Sequence, residues 1–391
     1  MATRVRSFSK VNLGLRIGRV RTDGFHELAT MYQTLALHDV VTVSARRSGE
    51  TKISLTTDHP RVPVDGRNTA WQMVERTLRA IAVKAVVEVH IEKRLPIQGG
   101  MGAGSANAAA ALIGLEREMA GWAVPGWQLS GPERLRLAAE VGSDVPLFLV
   151  GGAVLGTGRG ELVAPLPDVT LGDGRGMPCV VAVPAMGMPT PLAFREWDAR
   201  GAAVASPGFA ETGLEGGGVR SWAGEARSGS EMGAELTFGA APDRLTELSL
   251  AYSSAFALAA RWEAEPGTFG IVGGYGPTGS SGEDGRGARD DLAENILLAL
   301  VRTGIENDFE EVVFPYHSSL RETKRYLMGE DSGEPALYAA LSGSGSALFG
   351  LYRSAEDARA AQQRVQSSGT EAILTETLGR AEYWARMFAD G

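Results

Sequence analysis

Residues 95–107, Leu95-Pro96-Ile97-Gln98-Gly99-Gly100-Met101-Gly102-Ala103-Gly104-Ser105-Ala106-Asn107, run straight into Ala108-Ala109-Ala110-Ala111-Leu112. Glycine adopts positive φ and lets a ligand approach the backbone closely. The alanines and leucine predict a helix directly after the loop. The N–H groups of that helix's first turn have no partner within the helix. They sit at the positive end of its dipole and suit an anion such as a nucleotide phosphate. Ser105 adds a hydroxyl that can meet a phosphate or a metal ion held by one. No Lys-Ser or Lys-Thr closes the loop, so it is not a P-loop, and the glycine spacing is not that of a dinucleotide fingerprint. With 51 glycines in 391 residues, a plain helix-start loop is the competing reading of this tract.

The elements around the loop follow from local pattern. Val11, Leu13, Leu15 and Ile17 alternate with Asn12, Gly14 and Arg16, which predicts a strand over 11–17. A turn at Asp23-Gly24 leads to strands near 31–44 and 51–57. A helix is expected from Asn68 to Ile81. Val87, Val89 and Ile91 form one face of another strand. The loop's own helix covers about 104–120. Ser130-Gly131-Pro132-Glu133 is a capping box with proline inside the start, opening a helix that stops at Gly142. Beyond Val163 the pattern predicts a strand at 179–183, helices near 243–263, 290–303 and 318–327, a glycine loop at 342–346, a strand at 347–352 and a helix near 355–367. The stretches 199–240 and 266–289 are rich in Gly, Ser and Ala without sustained period and read as loops or linkers.

Composition narrows the function classes. The 391 residues suffice for two domains with their own cores. The net charge is −9, and no basic run interleaves with aromatics, so nucleic acid is not an expected partner. An acidic protein that binds an anion must build its positive site locally. The single cysteine, Cys179, excludes an intrachain disulfide and reads as buried packing in a strand. The uncharged run from Val145 to Gly158 is too short and glycine-rich for a membrane span. The basic N-terminus has the charge of a transit peptide, but its strand-like alternation reads as folded protein, which points to the cytoplasm.

Four separated segments resemble the GHMP kinase superfamily in the same order: Ser9-Lys10-Val11-Asn12-Leu13, the glycine loop, Gly142-Ser143-Asp144-Val145-Pro146, and Leu341-Ser342-Gly343-Ser344-Gly345-Ser346. Three more resemble the branch acting on 4-diphosphocytidyl-2-C-methyl-D-erythritol in non-mevalonate isoprenoid synthesis. They are Arg21-Thr22-Asp23-Gly24-Phe25-His26-Glu27-Leu28, Pro189-Thr190-Pro191 with Phe194, and Asn307-Asp308-Phe309-Glu310 with Pro315 and His317. The chain departs from the pattern at Ser9, Phe25, Gln98 and Ala103, and in the length of the segment between Phe194 and Asn307.

The resemblance implies an α+β, two-domain architecture. An N-terminal domain like ribosomal protein S5 domain 2 would cover 1–162, and a ferredoxin-like C-terminal domain 163–391, with the two glycine-rich stretches as insertions. It implies ATP-dependent phosphorylation of the 2-hydroxyl of the cytidine conjugate, with Mg²⁺ arriving with ATP. A small-molecule partner is implied, with no membrane and with a monomer or homodimer as the assembly. Lys10 and Asp144 would be catalytic, although alone they read as a strand-edge lysine and a helix-end aspartate. Asn68, Pro96 and Gly99 through Ala106 would hold ATP; Asn68 reads equally as a helix cap. Asn12, Phe25, His26, Thr190, Pro191, Phe194 and Ser342 through Gly345 would hold the substrate, with Phe25 and Phe194 about the base and His26 reading its edge. No cluster spells a fixed metal site. Homoserine, mevalonate or sugar phosphorylation, or non-catalytic nucleotide binding on the same fold, are the alternatives.

Overall fold

The computed structural model describes residues 2–97, 99–122, 128–205, 306–330, 332 and 335–389. The helices expected near 243–263 and 290–303, the glycine-rich residues 206–240 and 266–289, and Gln98 lie outside these residues.

Two sheets organise the described chain. The first contains β1 (Thr3–Val20), β2 (His26–Arg47), β3 (Lys52–Thr57), β4 (Ala85–Glu92), β5 (Ala153–Thr157) and β6 (Leu162–Pro165). Its order is β3-β4-β2-β5-β6, with β1 also pairing along β2. The sheet thus runs across the expected boundary near residue 162. β1 and β2 are antiparallel, and their register shifts between Phe8 and Ser9 and again between Asn12 and Gly14. Such bulges re-aim side chains, and here they bracket Lys10 and Asn12. β1 is buried on both faces over its middle, so the alternation at 11–17 marks only part of a longer strand.

Three helices cover this sheet: α1 (Thr69–Ala80), α2 (Ala103–Met119) and α3 (Gly131–Val141). Asn68 caps α1, its side chain accepting from the Ala70 N–H. Ser130 and Glu133 form the expected capping box on α3. α2 buries Ala106, Ala108 to Ala111 and Gly114. Small side chains let it lie close to the sheet; a Cβ on Gly114 would come within 2.8 Å of Val43 Cγ2.

The second sheet is antiparallel, in the order β10-β7-β9-β8, from β7 (Pro178–Val183), β8 (Tyr338–Leu341), β9 (Leu348–Leu351) and β10 (Glu371–Glu376). One face packs on α4 (Thr190–Ala205), α5 (Phe309–Tyr316), α6 (Ser318–Met328) and α7 (Ala355–Ser367). Residues of its other face share a core with Val11, Leu13, Met31 and Leu35 of the first sheet. A last helix, α8 (Arg380–Ala385), returns to the first sheet, where Tyr383 joins the core and its hydroxyl donates to the Phe148 carbonyl at 2.6 Å.

Residues 199–205 correct the expected loop at 199–240, because they complete α4. Ala199, Ala202, Ala203 and Ala205 are strong helix formers, and a single glycine, Gly201, costs a helix only about 1 kcal/mol. Pro189 and Pro191 flank the start of α4, where proline's missing N–H is harmless.

Candidate active site

Lys10 sits in the bulged part of β1 and is nearly inaccessible to solvent, so its ammonium needs protein partners. It donates to Asn12 Oδ1 at 2.6 Å and faces Asp144 Oδ2 at 3.3 Å. It also stands 5.5 Å from the centre of the Tyr32 ring. Asn12 in turn donates to Thr30 Oγ1 at 2.8 Å, and Thr30 donates to the Gly14 carbonyl. Each of these side chains is held by the next.

Asp144 comes from the connection between α3 and a 3-10 turn, Pro146–Leu149, whose Pro146, Leu147 and Phe148 are buried. The apolar turn anchors the carboxylate from below while about a third of the side chain stays open to solvent. The Tyr32 hydroxyl donates to Asp144 Oδ1 at 3.0 Å. Burial raises the Tyr32 pKa, and the charge of Asp144 raises it further. The phenol therefore stays a neutral donor. Tyr32 pairs with Asn12 across β1 and β2. Its role depends on strand register and on the return of residue 144, neither of which sequence spacing displays.

The glycine loop meets this group at the N-terminus of α2. Gly102 is the N-cap, with φ +70°, and no side chain caps the helix; its first turn carries no acidic residue. A Cβ on Gly102 would lie 3.0 Å from Phe148 Cζ and 3.1 Å from Lys10 Cγ. Glycine is required here both by conformation and by the closeness of Lys10. Ala103 begins the helix proper, where an alanine fits without strain. The N–H groups of Ala103, Gly104 and Ser105 thus open a positive helix end beside the Lys10 ammonium, an arrangement suited to phosphate.

The second glycine loop closes the other side. Ser342 Oγ donates to the Gly100 carbonyl at 3.0 Å, and the Ala347 N–H donates to the Gly99 carbonyl at 3.2 Å. Gly343 approaches Asn12 and Lys10. Asn307 donates to the carbonyls of Leu341 and Gly343, both at 2.8 Å, and so fixes the loop. Ser344 and Thr190 share a hydrogen bond of 2.8 Å at the start of α4. A cleft of about 1100 Å³ runs between residues 93–97 with Gly99 and Gly100, the segment around Met186 to Pro191, and Ser344 to Ser346; Pro96 lines it.

His26 opens β2 and is buried. Its ring stacks on Phe194 at 4.9 Å and 14°. Phe194 meets Phe309 edge to face. Phe25 is exposed, and the Arg159 guanidinium lies 5.0 Å from its ring centre. One Phe194 face is thus taken by His26. Asn68 spends its side chain locally, accepting from Ala70 N and donating to the Pro63 carbonyl at 2.8 Å. Its neighbour Thr69 donates to the Gly104 carbonyl at 2.6 Å and ties α1 to the loop. Among the described residues no group of three His, Cys, Asp or Glu side chains could hold a metal ion.

Two family models match in chain order. The GHMP kinases N terminal domain covers residues 68–152, which includes the glycine loop and Asp144, and the GHMP kinases C terminal domain covers 288–371, which includes the Ser342–Gly345 loop. Both matches are to GHMP kinases. The chain is 41% identical over 197 residues to a Nocardioides sp. protein named 4-diphosphocytidyl-2-C-methyl-D-erythritol kinase; the match covers 50% of this chain and 62% of that one. It is 41% identical over 199 residues to a Rhodococcus jostii protein of the same name, covering 50% of this chain and 58% of that one. The matches therefore span less than two thirds of these relatives. Among solved structures, a 4-(cytidine 5'-diphospho)-2C-methyl-D-erythritol kinase aligns with TM-score 0.57 at 25% identity, over 96% of this chain and 99% of that one. The homoserine kinase from Cytophaga hutchinsonii aligns with the same TM-score, 0.57, at 16% identity, over 97% and 95% of the two chains, which supports the shared fold alone. The two-domain architecture expected from the sequence is that of these proteins. No helix among the described residues is long and apolar enough to cross a membrane.

Proposed function

We propose that this protein transfers the γ-phosphoryl group of ATP to the 2-hydroxyl of 4-diphosphocytidyl-2-C-methyl-D-erythritol, a cytoplasmic reaction yielding the 2-phosphate and ADP. The observation that carries the reading is the buried Lys10 ammonium, set between Asp144 and the uncapped end of α2. Phosphoryl transfer needs positioning and charge stabilisation at one point, and this point offers both. The relatives' shared name points to the same acceptor.

Each side chain has a role in this reading. Asp144 accepts the proton of the acceptor hydroxyl, oriented by the Tyr32 phenol. Lys10 balances Asp144 and then the charge that grows on the transferring group. Backbone N–H groups from Gly102 to Ser105 receive the triphosphate, while the Ala106 N–H is spent on the Gly102 carbonyl at 2.8 Å and closes the first turn behind them; Gly99 and Gly100 shape the loop and Met101 holds Lys10 through a 3.1 Å backbone bond. Pro96 lines the nucleotide side of the cleft, and Asn68 fixes the start of α1 beneath it. Mg²⁺ would enter with ATP and neutralise its phosphates, with the Ser105 hydroxyl available beside it. Asn12, Thr190, Pro191 and the loop from Ser342 to Gly345 border the acceptor. Phe25 offers a ring for the base, and His26, backed by Phe194, offers a polar edge.

ADP release with Mg-ATP tests this, comparing the cytidine conjugate with homoserine and mevalonate at matched concentrations. Turnover confined to the cytidine compound is expected. Turnover with another acceptor would keep the Lys10–Asp144 chemistry and remove the base site. Silence with all three would favour a non-catalytic nucleotide-binding protein.

A further inference from the structure

His26 is gripped from one side by a single helix. Phe194 and Asp198 are one turn apart on α4, on the same face. Phe194 lies flat against the imidazole, and Asp198 Oδ1 stands 2.7 Å from Nε2. A carboxylate only accepts hydrogen bonds, so the proton of a neutral ring resides on Nε2. Nδ1 is then left with a lone pair, and among the described residues nothing donates to it. Stacking and hydrogen bond together fix both the plane of the ring and its tautomer. Asp198 lies outside the short motifs that carry the resemblance, four positions beyond Phe194.

We propose that Asp198 is a positioning residue that fixes His26 with Nδ1 as an acceptor, and that this selects a base carrying an exocyclic amino group. The inference rests on the cytidine reading above. Cytosine and uracil differ at this edge: cytosine presents an amino donor where uracil presents a carbonyl oxygen. An Nδ1 lone pair meets the first with a hydrogen bond and the second with repulsion. A site built to hydrogen-bond one group rejects an analogue that leaves the bond unmade far more strongly than an apolar pocket rejects a lost methylene. Replacing Asp198 by Asn reverses the logic. The amide can donate to Nε2, which moves the ring proton to Nδ1 and turns the reading edge into a donor.

The test has two readouts on the full chain. The first is the nitrogen NMR spectrum of the ring in the absence of substrate, assigned by difference against H26Q. We expect a protonated Nε2 and an unprotonated Nδ1 in the parent protein, with the pattern lost or inverted in D198N. The second is kcat/KM for the cytidine conjugate against the matching uridine conjugate. The parent should prefer cytidine by roughly a hundred-fold or more, and D198N and D198A should lose at least about ten-fold of that preference, chiefly through KM. A protonated Nδ1 in the parent, or variants that keep the full preference, would overturn the proposal. If neither conjugate is turned over by the parent, the base-reading half falls with the cytidine reading, and the ring spectrum still decides whether Asp198 fixes the tautomer.

Discussion

Gly102→Ala separates stability from catalysis at the point where loop and lysine meet. Gly102 has φ +70°, a conformation that costs an L-residue about 1–2 kcal/mol. The new Cβ would lie 3.0 Å from Phe148 Cζ, 3.1 Å from Lys10 Cγ and 3.2 Å from Lys10 Cε. Phe148 is fully buried and locked in the core beneath Asp144, so the Lys10 stem is the part that gives way. Overpacking of this kind adds about 1–3 kcal/mol, for a total near 2–5 kcal/mol by urea denaturation. Moving the ammonium by several tenths of an ångström breaks its alignment with Asn12 and Asp144. Misplacement on the order of 1 Å costs up to about 100-fold in rate, so kcat for ADP release should fall by roughly 10- to 100-fold in the folded variant. Gly174→Ala is the control. Its φ is +80° with nothing within 4 Å of a Cβ, so it should lose about 1–2 kcal/mol of stability and no activity. If Gly102→Ala loses the expected stability but keeps its kcat, the placement of Lys10 is not what the glycine protects.

Three further outcomes follow from the same geometry. His26→Ala should raise KM for the cytidine conjugate by about 10- to 100-fold while leaving KM for ATP nearly unchanged; equal effects on both would take His26 out of the base site. Tyr32→Phe removes a hydrogen bond to a charged group, worth about 1.5–3 kcal/mol, and should lower kcat about ten-fold or more. Burial raises the Tyr32 pKa above its unfolded value near 10, so the stability it contributes is complete below about pH 10 and is lost only as pH rises toward the folded value; an activity profile showing phenol titration below that pH would contradict the assignment. Cys179 is buried and its thiol is pushed up by burial, so an aromatic disulfide reagent should label it only after denaturation.

Much of this arrangement was legible in the sequence wherever the local signal was itself the physical cause. The Asn68 cap, the Ser130–Glu133 box and the alternation at Val87, Val89 and Ile91 describe forces acting within a few residues, and α1, α3 and β4 form where they say. The glycine loop likewise announces the uncapped start of α2. β8 was not visible, because Tyr338 to Leu341 are buried on both faces and two of the four are alanines, so no alternation marks the strand. β6 fails for the opposite reason, being an edge strand largely open to solvent. At the site, Lys10 and Asp144 could be named from their motifs, but Tyr32 could not. It reaches Asp144 only because β2 pairs with β1 in a register shifted by two bulges. Asp198 was hidden beside a stretch read as loop, and its partner His26 lies 172 positions away along the chain.

The claim that Lys10 and Asp144 carry the chemistry is tested most directly by Asp144→Asn. The asparagine keeps the shape of the side chain and a carbonyl oxygen for the Tyr32 hydroxyl, but it cannot take a proton from the acceptor. Single-turnover ADP formation should slow by roughly 10²- to 10⁴-fold, as expected for loss of a general base, with ATP affinity in a parallel titration essentially unchanged. Turnover within about three-fold of the parent protein would contradict the account, because the proton would then have another acceptor.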